Sequence, residues 1–134
     1  MSEHYLIDFN KASSPHFVFW DNDIADPWLI PHFKLKEFRS HGDDSKIIVL
    51  SFNLIKCLHE LRSVFDESLF INSAFRTLER NKLVEGKPFS RHLIGEALDI
   101  RLSATHEKRE RLIEQAKKIF PKVIRYDSHI HVEV

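Results

Sequence analysis

The chain has one cysteine, Cys57, in 134 residues. No disulfide can form within it, so stability must come from a buried apolar core, which a chain of this length is able to provide. It has no excess of charge. Lys plus Arg and Asp plus Glu are 20 each, which argues against broad nucleic-acid binding, because that needs a basic face to displace counterions. No apolar run approaches the ~20 residues of a membrane-spanning helix. The start, Met1-Ser2-Glu3-His4-Tyr5, lacks a basic segment followed by an apolar stretch and a small-residue cleavage site. The expectation is a cytoplasmic protein, or one released or exported, phage-fashion, without a recognisable signal peptide. There are no repeats and no low-complexity segments, and the length fits a single domain.

What is present is the balance of a soluble globular protein, 43% apolar and 30% charged. Eleven Phe against two Tyr point to a well-packed interior. In residues 1–31 the run Phe17-Val18-Phe19-Trp20 reads as a strand or hairpin arm, with Asp21-Asn22-Asp23 as a turn. Pro27 and Pro31 frame an extended connector. Phe33, Leu35 and Phe38 suggest a short helix or turn ending near Gly42. Asp43-Asp44-Ser45 is a candidate N-cap for a long helix, because Ile47, Leu50, Leu54, Leu58, Leu61 and Phe65 recur at helical spacing. Residues 68–74 read as a strand, 77–91 as a helical turn and loop, 97–102 as a second strand, and 105–120 as a second amphipathic helix ended by Pro121. Residues 123–134 read as a third strand. On these elements alone the sheet can be parallel or antiparallel.

Nine histidines are many for this length, but their placement is what matters. In the strand over 97–102, Leu98, Ile100 and Leu102 should face the core and Ala97, Asp99 and Arg101 the other side. A carboxylate in so apolar a segment is costly unless it is paired, hydrogen-bonded or bound to a metal. Gly95 would let the backbone turn and bring His92 back over the strand. In the last strand His129, His131 and Glu133 share one face. Laid beside the first strand, His131 can meet Asp99 and His92. Two imidazoles and a carboxylate suit zinc, and three protein ligands leave a fourth position open, as in catalytic sites. The plainer alternative is a set of hydrogen-bonded structural histidines, which single strand histidines usually are. Cys57 reads as a small core residue and Glu96 as a solvated loop residue. Trp20 and Trp28 are expected in core or edge packing, with a cleft lining as the alternative.

The segment Ser90-x-His92-x-x-Gly95-x-Ala97-x-Asp99, followed by His131-Val132-Glu133-Val134, resembles the zinc D-Ala-D-Ala carboxypeptidases and their relatives, the phage peptidoglycan endopeptidases and the hedgehog amino-terminal domain. Asn72-Ser73-Ala74-Phe75-Arg76 with the later Asn81, and the stretch from His32 to Phe38, are similar to further segments of that family. The resemblance implies a peptidase domain over 32–134, with 1–31 as an N-terminal extension packed on it. It also implies a small α+β fold with an antiparallel sheet and helices on one face. The chain is expected to act as a monomer.

By that resemblance His92, Asp99 and His131 hold one Zn2+, Arg76 receives a substrate carboxylate or carbonyl, and Ser90 binds substrate or orients a ligand. The implied substrate is a peptidoglycan stem peptide, and the activity that of a carboxypeptidase or endopeptidase (endolysin-like). The alternative is a zinc-containing module of the same fold that binds peptidoglycan or protein without cutting. The family's usual acidic residue, three positions before the last zinc histidine, is here Ser128. The general base is therefore expected at Asp127, which in a regular strand shares the face of His129 and His131. His129 is a second catalytic candidate, and Glu133 a third, better suited to orienting a ligand.

Overall fold

The computed structural model describes residues 4–11, 15–21, 25–42 and 45–134. The strands are β1 (His16–Trp20), β2 (Trp28–Ile30), β3 (Phe33–Lys34), β4 (Ile47–Ser51), β5 (Ile71–Ser73), β6 (Ala97–Arg101), β7 (Lys122–Arg125) and β8 (His129–Glu133); the helices are α1 (Phe52–Phe65), α2 (Leu78–Leu83) and α3 (His106–Ile119). Two 3-10 turns, Leu35–Phe38 and Arg91–Ile94, complete the described elements. The central sheet has the order β5-β6-β8-β7, every neighbouring pair antiparallel, and two small antiparallel pairs, β1-β4 and β2-β3, flank it. This is the α+β antiparallel arrangement that the resemblance implies.

One core holds the molecule together. Leu98 and Ile100 of β6 and Ile130 and Val132 of β8 are fully buried, and they join Leu54, Ile55, Leu58 and Leu61 of α1 and Leu112, Ile113 and Ala116 of α3. The alternation of β6 and β8 thus assigns one sheet face to the helices. The other face keeps Asp99, His131 and Glu133 half-buried. Among the described residues no helix is long and apolar enough to cross a membrane.

Two segments differ from the expectation. The long helix starts at Phe52, not near Ser45, and Ile47–Ser51 is a strand. The run Ile47-Ile48-Val49 is β-branched and favours extended backbone; Ile48 and Leu50 are buried while Val49 pairs with Val18 of β1. The N-cap is Ser51, whose Oγ accepts from the Leu54 amide at 3.3 Å. Asp43 and Asp44 lie outside the described residues, as do Asn22 and Asp23 of the expected turn. The closing strand is a hairpin rather than one strand. Tyr126, Asp127 and Ser128, the last two turn formers, separate β7 from β8, and the Tyr126 amide donates to the His129 carbonyl across the turn at 2.9 Å.

Residues 4–11 and 25–30 pack into this unit. The Ile7 amide donates to the Leu29 carbonyl at 3.1 Å, and Ile7, Leu29 and Ile30 are buried in the common core.

Candidate metal centre

Asp99 of β6 and His131 of β8 are direct partners in the antiparallel ladder. Their side chains therefore leave the sheet on the same face, and His131 Nδ1 lies 2.9 Å from Asp99 Oδ1. His92 arrives from the 3-10 turn. Ser90 caps that turn, its Oγ accepting from the His92 amide at 3.3 Å. Gly95 ends it in the left-handed region at φ 70°. A Cβ at Gly95 would stand 2.1 Å from the Val49 carbonyl oxygen, so only glycine fits. This close approach puts the His92 ring under the sheet edge, 2% exposed. Its Nε2 lies 3.3 Å from Asp99 Oδ1, and the two imidazoles meet edge-on with centroids 5.1 Å apart.

The hydrogen bonds fix what each ring offers. His92 Nδ1 lies 2.7 Å from the Ala74 carbonyl oxygen, which only accepts, so Nδ1 carries the proton and Nε2 holds the lone pair toward Asp99. His131 Nε2 lies 2.9 Å from Glu133 Oε1, a carboxylate that orients the ring from behind. One donor atom from each of His92, Asp99 and His131 lies within 4.8 Å of the others. Zinc bonds of about 2.0–2.2 Å place tetrahedral ligand atoms about 3.4 Å apart. The spacings of 3.3 and 2.9 Å fit that donor set.

The electrostatics keep Asp99 ionised between the two imidazoles. Burial pushes the Asp99 pKa up, but hydrogen bonds and charge from His131 and His92 outweigh it and hold the carboxyl well below the usual carboxylate range. Burial pulls the His131 pKa down, and Asp99 and Glu133 together reverse this and leave it raised. Arg76, past the end of β5, stands beside this group. Its Nη2 is 3.9 Å from Asp99 Oδ2, while Nη1 donates to Asn81 Oδ1 at 3.1 Å and Nη2 to Ser73 Oγ at 3.3 Å. Its carboxylate partner is thus Asp99. Burial lowers the guanidinium pKa and Asp99 opposes this, but an arginine stays charged throughout.

These groups open into a cleft of about 400 Å³ whose walls include Ser90, His129, Tyr126 and Glu133, a size suited to a peptide segment. His129 stacks on Tyr126 at 4.8 Å, with Ser128 Oγ 3.1 Å from its Nδ1. Asp127 is not brought to the cleft. The alternation that would put it on the face of His129 and His131 stops at the start of β8, so Asp127 sits exposed in the hairpin turn with its carbonyl accepting from Arg109. Glu96 is more enclosed than a solvated loop residue, taking His16 Nε2 at 2.9 Å and Arg91 Nη1 at 2.8 Å. Trp20 is exposed on β1 and Trp28 carries the Lys34 ammonium 5.0 Å from its ring; neither lines this cleft.

Sequence reasoning passed over Lys87, Phe89, Lys122 and Tyr126, all on the cleft wall. Pro88 before Phe89 in an otherwise polar loop was the one available signal. A larger hollow of about 770 Å³ lies over residues 4–11 beside His59. Among the described residues the one cluster of metal-ligating groups is His92, Asp99 and His131, so the chemistry belongs to the smaller cleft.

Comparison with known proteins agrees with this geometry. A search of curated proteins gave no match. The family model described as Peptidase M15 matches residues 31–133, from the proline before β3 to the end of β8, and so spans every side chain of the cluster. The chain belongs to the peptidase M15 family.

Proposed function

We propose that this protein is a zinc-dependent peptidase that hydrolyses a peptide bond in peptidoglycan stem peptides, as a D-Ala-D-Ala carboxypeptidase or an endopeptidase. The observation that carries the reading is the half-buried Asp99 carboxylate, shared at 3.3 and 2.9 Å by two imidazoles whose outer nitrogens are engaged by the Ala74 carbonyl and by Glu133. His92 Nε2, an oxygen of Asp99 and His131 Nδ1 would hold the ion. A zinc ion bound there supplies Lewis acidity to a water and to the scissile carbonyl.

The chain's own residues do the rest. Arg76 presents a planar fork at the cleft floor, held in one orientation by Asn81 and Ser73. It binds a substrate carboxylate or carbonyl and fixes the peptide relative to the three ligands. Ser90 holds the His92 turn through its amide. Glu133 keeps the proton on His131 Nε2 and so leaves Nδ1 free to ligate. His129, two residues from His131 on the same strand face and on the cleft wall, takes the proton from the attacking water and returns it to the leaving amine. Asp127 is the rival for that task. Residues 1–31 act as an extension packed on the peptidase domain of 32–134, supported by the pairing of β1 with β4 and β2 with β3.

The test is incubation of zinc-loaded protein with purified peptidoglycan and with synthetic stem peptides. Release of D-Ala or of new amino groups supports the reading and separates the two specificities. Cleavage confined to a panel of other peptides means a peptidase of different substrates. Binding without release means a recognition module of the same fold.

A further inference from the structure

Residues 86–90 run along the cleft wall and are anchored at both ends to the candidate centre. The Ser90 amide donates to the Lys87 carbonyl at 3.1 Å, closing a four-residue turn. Pro88, at its second position, presets the backbone. At one end Asn81, 2% exposed, donates from Nδ2 to the Lys87 carbonyl at 2.9 Å while its Oδ1 accepts from Arg76. At the other end Ser90 Oγ holds the His92 amide. Gly86 lets the loop in, since a Cβ there would stand 2.0 Å from Asn81 Oδ1.

An anchored turn has no need to expose a large apolar ring, yet Phe89 is 95% exposed on the cleft wall. Lys87 stands on the same wall. The other cations of the cleft have carboxylate partners: Arg76 with Asp99, Arg91 with Glu96 and Lys122 with Glu133. Among the described residues Lys87 is the cleft cation without one. An anchored turn thus offers an uncovered aromatic ring and an uncompensated ammonium in the same cleft as the arginine fork.

We propose that the Lys87–Ser90 turn is a second recognition element of the cleft: Lys87 pairs with a substrate carboxylate distinct from the group at Arg76, and Phe89 covers the peptide between them. The substrate class is therefore a peptide with two carboxylates several residues apart. This rests on the peptide-hydrolysing reading of the same cleft. Phe89 and Lys87 are specificity-determining residues, and Asn81 is the positioning residue that ties their turn to the fork.

The probes are the peptide L-Ala-γ-D-Glu-L-Lys-D-Ala-D-Ala and the same peptide with the D-Glu α-carboxylate amidated. Binding to the metal-free full chain is measured by NMR titration, which excludes turnover. Amidation is expected to weaken binding to the wild type about two- to fivefold and to leave binding to Lys87→Ala unchanged, the signature of a direct pair. Phe89→Ala should weaken both peptides by about three- to tenfold. Equal amidation effects in wild type and Lys87→Ala, no amidation effect, wild-type affinity in Phe89→Ala, or no binding by the wild type would overturn the proposal. Cleavage by the zinc-loaded wild type is scored separately. Cleavage without the coupling defeats this inference alone, and coupling without cleavage defeats the peptidase reading alone.

Discussion

Asp99 and His131 face each other as direct partners in the β6–β8 ladder, with 2.9 Å between carboxylate oxygen and Nδ1. The contact is a consequence of strand register. A slip of one residue in either strand would turn its polar side chain into the helix-covered core and bring Leu98 or Ile130 to the cleft instead. The same alternation that buries Ile100 and Val132 therefore assembles two of the three candidate ligands.

Removing any one of these groups should abolish metal uptake. His92→Ala, Asp99→Ala and His131→Ala are each expected to lose stoichiometric zinc by elemental analysis of purified protein, while far-ultraviolet circular dichroism stays native-like. Glu133→Gln should still bind zinc, about 10–100-fold more weakly. Full occupancy in Asp99→Ala would rule out this ligand set.

Arg76→Lys keeps the charge but loses the fork that bonds Asn81 and Ser73. Zinc content should be unchanged and kcat/KM on a stem peptide should fall about 10–100-fold, the worth of a charged hydrogen bond of roughly 1.5–3 kcal/mol. A wild-type kcat/KM in this variant would remove Arg76 from substrate binding.

The proton carrier is decided by two variants. His129→Ala should retain zinc and lose about 100- to 10,000-fold in kcat. Asp127→Ala, altered outside the cleft lining, should stay within a few-fold of wild type. The opposite ranking in steady-state kinetics would return the role to Asp127.

Gly95→Ala would force a side chain against the Val49 carbonyl at positive φ. Urea unfolding should show a loss of at least about 2 kcal/mol, and zinc affinity should fall with it, because Gly95 shapes the turn that carries His92. Unchanged stability would mean that the turn accommodates a Cβ by shifting.

Cys57 offers a check on the α1–α3 packing. Burial, then the neighbouring Glu60, push its thiol pKa up, and Sγ lies 3.7 Å from the Ile119 carbonyl. A raised pKa leaves less thiolate at pH 8 than in a free cysteine. Iodoacetamide alkylation of the native protein should be slower than of the urea-unfolded chain, with the rate still climbing above pH 9. Equal rates would mean that the helices part readily.

The sequence made the centre legible because each half of it violates its surroundings. Asp99 stands between Leu98 and Ile100, and His131 between Ile130 and Val132, so polar groups on buried strands advertise themselves. Asp99 and His131 needed only strand alternation to be placed on one face. His92 needed in addition the glycine at 95. What stayed hidden depended on backbone events that side-chain periodicity does not encode. The stripe Ile47, Leu50, Leu54 satisfies a helix, yet the first two belong to a strand paired with β1, a partner thirty residues away. The hairpin at Tyr126–Ser128 is a short interruption between two apolar stretches, and reading through it put Asp127 on the wrong side of a turn. Lys87 and Phe89 sit in a loop whose path is set by Asn81, and nothing local announces that anchorage.

The β1–β4 pairing carries a lesson about where this catalytic unit ends. Val49 and Ser51 of β4 touch the Gly95 bend directly, the Ser51 amide donating to the Gly95 carbonyl at 2.8 Å, and β1 zips along the far side of β4. Trimming the polypeptide to the span that the family shares would strip that outer strand, leave β4 as a naked border prone to sticking to its like, and slacken the bracket that steadies His92. The strand outside the span of the family model is thus a splint for the turn that carries His92.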